Sequence, residues 1–133
     1  DFRPPPQTPH IAADLADLGE TLPGHAHDFA LPLHEGGTDR WAALGVAWVL
    51  AGSALGNRSI LAQMHRIAKA QRSAAPRWPE RFLGDAAMLD FWNKLRTRIE
   101  RPAPALEAER AAAGASAVFD HFIARVAETR SAR

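Results

Sequence analysis

Apolar positions recur along this chain at the three-to-four spacing of helices, and nowhere do they alternate for long enough to predict a strand. The longest such stretch, residues 38–73, is free of proline and predicts one helix of roughly 50 Å. Thr38 is placed to cap it, and Asp39 stands in its first turn, where the helix dipole favours negative charge. Its first half is apolar almost all round, through Trp41, Leu44, Val46, Trp48, Val49 and Leu50. A helix of that kind is buried on every side or crosses a membrane. Its second half is amphipathic, with Ile60, Leu61, Met64 and Ile67 opposed to Arg58, Gln63, Arg66 and Lys69. Between the halves, Gly52 and Gly56 stand one turn apart on a single face. Glycine inside a helix costs about 1 kcal/mol relative to alanine, so the pair leaves a strip of bare backbone at a cost. One reading is that a second helix packs closely on that strip. The other is that a flat ligand lies there and that the helix bends at the site.

The remaining elements follow the same logic. Residues 1–7, with Pro4, Pro5 and Pro6, read as an extended lead-in. The following helix has Thr8 as cap, Pro9 in its first position and Gly19 as its stop. Ile11, Leu15 and Leu18 form its apolar stripe; His10, Asp14 and Asp17 fall away from it or beside it, and the two carboxylates are expected on a solvated face. Residues 20–37 read as a loop with His25, His27 and His34. A His-x-His pair needs a third ligand to hold a metal, and no partner motif is present, so surface histidines are expected. Pro76, Trp78 and Pro79 mark a turn, followed by a short helical turn in PERFLG. Asp85 opens a helix that runs to Glu100, with Met88, Leu89, Trp92, Leu95 and Ile99 buried and with Lys94, Arg96 and Arg98 basic. A final helix over 106–129 is expected to bury Phe119, Phe122, Ile123 and Val126. Residues 111–113, all alanine, give it a flat face for close packing, and Gly114 is a place for it to bend. The pattern predicts an all-α fold, a single helical domain over residues 1–133 organised around one long central helix.

Length and charge narrow the function. The chain's 133 residues suffice for one domain with a core. A formal charge of +1 gives no argument for a nucleic-acid partner. The absence of cysteine excludes disulfides, thiolate metal sites and a cysteine nucleophile. There is no GxxxxGK[ST], GxGxxG or HExxH, and GSALG is not a GxSxG elbow. The apolar run over 41–55 is shorter than a membrane span and contains Gly45, Gly52 and Ser53. The sequence therefore reads as soluble and cytoplasmic, with no membrane partner. His65 is expected to be solvated or to cap a neighbour, and His121 to sit at a core boundary. No pair of carboxylates is arranged for acid–base work.

The run ALGVAWVLAGSALGNRSIL resembles the distal-helix segment of bacterial, biliverdin-producing heme oxygenases, which reads like A-x-G-x-x-Y-V-L-E-G-S-x-L-G-G. Upstream, HIAADLADLG is similar to that family's helix ending in D-L-x-x-L-G. Downstream, FLGDAAMLDFWNKLRTRIE looks like its aromatic-plus-basic helix, and the alanine-rich close with VFDHF also fits. The landmarks are collinear from about Thr8 to Val126.

The resemblance implies a multi-helical bundle that holds heme, as both substrate and cofactor, between a proximal and a distal helix. The distal helix would be the 38–73 element, a long central helix kinked at its glycines. Gly52, Ser53 and Gly56 would form the catalytic distal face, with Ser53 beside a water network. Gly52, Gly56, Asn57 and Arg96 would contact heme, Arg96 through a propionate. Heme would be opened to biliverdin, iron and carbon monoxide with oxygen and with electrons from an external donor, a ferredoxin or reductase. Three positions depart from the family: Trp48 replaces its tyrosine, Ala51 its glutamate and Asn57 its second terminal glycine. The family's proximal histidine lies upstream of D-L-x-x-L-G, where this chain has only residues 1–7, and none of its six histidines matches. The expectation is that the proximal-helix portion is absent from this chain. Three hypotheses follow: a heme oxygenase, a binding or regulatory module of that fold without the reaction, and a bundle whose glycines serve packing alone.

Overall fold

The computed structural model describes residues 2–24, 29–30, 39–71 and 78–132. They form four α-helices: α1 (Thr8–Asp17), α2 (Arg40–Ala70), α3 (Ala86–Ile99) and α4 (Ala105–Ser131). No strand occurs among the described residues, so the protein is all-α there, as the periodicity predicts. The contacts divide the chain into two compact units. One comprises Asp1–Arg3, His27–Leu50 and Lys94–Arg133, and the other Pro4–Ala26 and Ala51–Asn93.

In the first unit, α2 begins at an aspartate. Asp39 Oδ1 accepts hydrogen bonds from the backbone N–H of Trp41 (2.9 Å) and of Ala42 (3.2 Å). Asp39 is thus the cap itself, one residue beyond the expected Thr38, which lies outside the described residues. A carboxylate satisfies two of the orphan N–H groups and also opposes the positive end of the helix dipole. Arg110 Nε of α4 approaches Asp39 Oδ2 at 3.8 Å.

The core of this unit is a close crossing of α2 and α4. Ala42, Leu44, Ala47 and Val49 are buried on α2, and Gly114 and Val118 on α4. A Cβ added at Gly45 would run into the carbonyl oxygen of Ala111 and stand 2.9 Å from the Ala115 nitrogen. One added at Gly114 would run into the carbonyl oxygen of Ala42. Two backbones meet here without side chains between them, which only glycine permits. This corrects the expectation for α4. Phe119, Phe122, Ile123 and Val126 are each about half exposed or more. Ala111, Gly114, Ala115 and Val118 share the face that meets α2, and the bulky residues fall outside it.

In the second unit, α1 starts one residue earlier than expected: Gln7 is its cap, without a side-chain bond, and Thr8 is already helical. Gly19 ends it as expected, with φ +76° and with its N–H and that of Glu20 returned to Ala16 and Leu15. The placement of Asp14 on a solvated face is overturned, because Asp14 is 9% exposed. Its carboxylate accepts the N–H of Phe82 (2.9 Å), the N–H of Arg81 (3.2 Å) and the Arg81 guanidinium (3.1 Å). Arg81 also donates to Asp17 at 2.6 Å. Burial by itself would raise the Asp14 carboxyl. The bonds from Phe82 and Arg81, with the Arg81 charge, outweigh burial and hold it below the usual carboxylate range.

The turn so anchored closes with Gly84 N–H on the Glu80 carbonyl at 2.7 Å. Asp85 then caps α3, accepting from Ala87 (3.0 Å) and Met88 (3.4 Å), and takes a bond from the Gln7 side chain at 3.2 Å. Met88 is fully buried, with Leu89 and Trp92 half-buried beside it. By length and composition α2 is apolar enough to cross a membrane, which corrects the shorter span read from residues 41–55. A buried core helix passes the same test, so no location follows from it.

Candidate functional site

Four of the residues singled out for chemistry lie on α2 within the second unit. Helical spacing puts Gly52 and Gly56 on one strip, and Ser53 and Asn57 on the strip beside it. The helix runs without a break through all four, so their backbone groups are bonded internally. The glycines therefore present a smooth surface with no side-chain atoms.

The two ends of that surface differ. Gly52 is half-buried, and a Cβ there would stand 3.4 Å from Trp92 Cζ3 and 3.9 Å from its Cε3. That is ordinary van der Waals contact, so the indole of α3 lies against this end of the strip without requiring glycine. Gly56 is exposed, and a Cβ there would meet nothing within 4 Å among the described residues. Ser53 is exposed and Asn57 half-buried. Close helix packing, the structural account of small residues at this spacing, operates at Gly45 and Gly114 instead. It leaves Gly56 unexplained, at a helix cost of about 1 kcal/mol.

Arg96 belongs to the first unit. It is exposed on the last turns of α3, where its Nε lies 3.5 Å from Glu100 Oε1. The neighbouring Lys94 is also exposed, and Arg98 is half-buried with its guanidinium 5.0 Å from the Trp41 ring centre. These cations follow an amphipathic α3 whose inner stripe includes Leu95, which is buried.

The histidines divide in the same way. His65 Nε2 is 2.6 Å from Glu80 Oε1 on the surface of the second unit. His121 packs edge-on to Phe29 at 5.5 Å, as a boundary histidine should. His10 is half-buried on α1, while His25, His27 and His34 lie outside the described residues. No group of three potential ligands is positioned for a metal among the described residues. Two features went unread in the sequence: the Trp92 ring against Gly52, and an apolar cavity in the first unit beside Gly45.

Comparison with known proteins adds no relative. No protein-family model matches the chain, and neither a curated protein nor a solved structure does.

Proposed function

We propose that this chain is a heme oxygenase-like protein whose α2 glycine face forms part of a heme site. In this reading heme is the substrate, opened to biliverdin, iron and carbon monoxide by oxygen and by electrons from a ferredoxin or reductase. The observation that carries it is Gly56, a mid-helix glycine where an added Cβ would meet no atom of the described residues within 4 Å. A flat macrocycle needs that kind of surface, because any Cβ holds it further from the helix. The all-helical architecture and the collinear landmarks around GSALG support the same reading.

The residues fit such a substrate in part. Gly56 offers bare backbone, with the Ser53 hydroxyl and the Asn57 amide on the adjoining strip. Among the described residues His65 pairs with Glu80 and His121 packs on Phe29, so neither is taken as an iron ligand. The protein's contribution in this reading is to position the ring and shape the space over it; oxidation belongs to the iron-bearing ring itself.

A second reading rests on Trp92. Its indole covers the Gly52 end of the strip, which favours a module that binds a tetrapyrrole without turning it over. Hemin titration of the full chain separates the readings. A Soret band that decays under reductant and oxygen, with biliverdin absorbance rising, is expected for the enzyme. A stable Soret band without biliverdin supports the module, and Trp92→Ala is then expected to restore turnover. Absence of any Soret band overturns both.

A further inference from the structure

We propose that the cavity between α2 and α4 is a second binding site, independent of the glycine face, for a single-carboxylate amphiphile of the fatty-acid type. The cavity measures about 470 Å³, within the range of small-molecule pockets. Its origin is the close crossing of the two helices. Where Gly45 meets Ala111 the backbones touch, and the small side chains around that contact leave a hollow that larger ones would fill. Trp41, Leu44, Trp48 and Phe119 wall it, and its lining is almost wholly apolar. Trp48 and Phe119 are 40% and 51% exposed, a large apolar surface for two helices to leave in water.

The rim supplies the head-group chemistry. Arg98 and Arg101 border the cavity from the end of α3 and the segment after it. Neither makes an ion pair among the described residues, and Arg98 is held in place by the Trp41 ring at 5.0 Å. Ala103, Glu107 and Ala108 bring the start of α4 to the same rim. That start has Pro104 as its cap and no side-chain bond, so the positive end of a 27-residue helix is left without a side-chain acceptor. Among the described residues Glu107 is the one carboxylate in the lining, and its charge offsets one guanidinium.

The balance of two cations against one anion leaves a single positive charge, reinforced by the helix end. One carboxylate on an apolar body matches it. A sugar or nucleotide would find too few hydrogen-bonding groups in the lining, and a neutral lipid would leave the guanidiniums unmatched. The charge count also separates this site from the heme reading, since a heme carries two propionates.

Calorimetric titration of the full chain with dodecanoate, below its micelle concentration, tests the proposal, with dodecanol as the neutral counterpart. Dodecanoate is expected to bind at least about tenfold more tightly than dodecanol, a difference of about 1.4 kcal/mol. Arg101→Gln and Arg98→Gln are each expected to erode that preference and leave dodecanol binding unchanged. Ala112→Phe, at an exposed position in the lining, is expected to block both ligands with the helical circular-dichroism signal intact. Equal affinity for the two ligands overturns the proposal. So does absence of dodecanoate binding, or a dimer in sedimentation that dodecanoate leaves undisturbed. Hemin titrated into Ala112→Phe keeps the two sites distinguishable: a Soret band retained there while dodecanoate binding is lost supports independence, and loss of both overturns it.

Discussion

Gly45 and Gly56 belong to one helix and meet opposite surroundings. At Gly45 the backbone of α4 lies so close that a single added carbon would strike the Ala111 carbonyl. At Gly56 the same carbon would meet nothing among the described residues. Glycine is a steric requirement in the first case and has no steric role in the second. A spacing of small residues therefore identifies a bare surface but not what lies on it. The partner at Gly45 is another part of the chain. The absence of one at Gly56 among the described residues is what gives the heme reading its weight.

The largest expected effect tests the first half of that contrast. Gly45→Ala and Gly114→Ala both press a methyl group against a backbone carbonyl, which cannot rotate away as a side chain would. Each is expected to destabilise by about 3 kcal/mol, the upper part of the range for overpacking, despite the helix propensity that alanine brings. Urea unfolding followed by circular dichroism measures it. A loss below about 1 kcal/mol would show that α4 can retreat, and would remove the distinction between the two glycines.

That loss has meaning only against an anchor in the unit that holds Gly56. Asp14 provides one, because it accepts two backbone N–H groups and a guanidinium while buried. Asp14→Ala is expected to cost about 2 kcal/mol, since the Phe82 N–H loses its acceptor. The pH dependence follows from the lowered carboxyl. Asp14 gives up its proton more readily in the folded chain than at the ordinary 3.8, so its contribution is complete above that value. It is lost as pH falls through the native value. The stability gap between the wild type and Asp14→Asn is therefore expected to hold steady near neutrality and to narrow only below 3.8. A gap that narrows on the alkaline side would refute the assignment.

How legible these features were depends on which signal carried them. α3 could be read directly, since Asp85 is its cap and Met88 and Leu95 are its buried positions. α4 misled because periodicity shows which face of a helix is apolar, not which face is covered. Phe119 and Ile123 have the stronger hydrophobic signal, yet Gly114 and Ala111 permit the closer approach, and the partner helix took that side. Asp14 misled for a related reason. It lies three residues after Ile11 and four before Leu18, within the apolar stripe itself. A charge at such a position signals a buried acceptor, and Arg81 with the N–H groups of its turn is what it accepts from. Gly52, Ser53, Gly56 and Asn57 were placed on α2 from the sequence, but the ring over Gly52 is a tertiary contact that spacing does not encode.

The smallest expected effect carries the other half of the comparison, and its sign is the reverse. Gly56→Ala adds a methyl group to open space in mid-helix, so it is expected to stabilise the chain by about 1 kcal/mol. If a macrocycle rests on that surface, the same methyl holds it away, and hemin affinity and turnover fall as stability rises. Opposite movement of the two readouts is the signature of a residue kept for a ligand at the expense of the fold. A rise in stability with hemin binding unchanged would leave Gly56 with neither role and would sink the heme reading at its strongest point. A fall in stability would mean that some part of the protein does cover Gly56, and the contrast with Gly45 would then be one of degree.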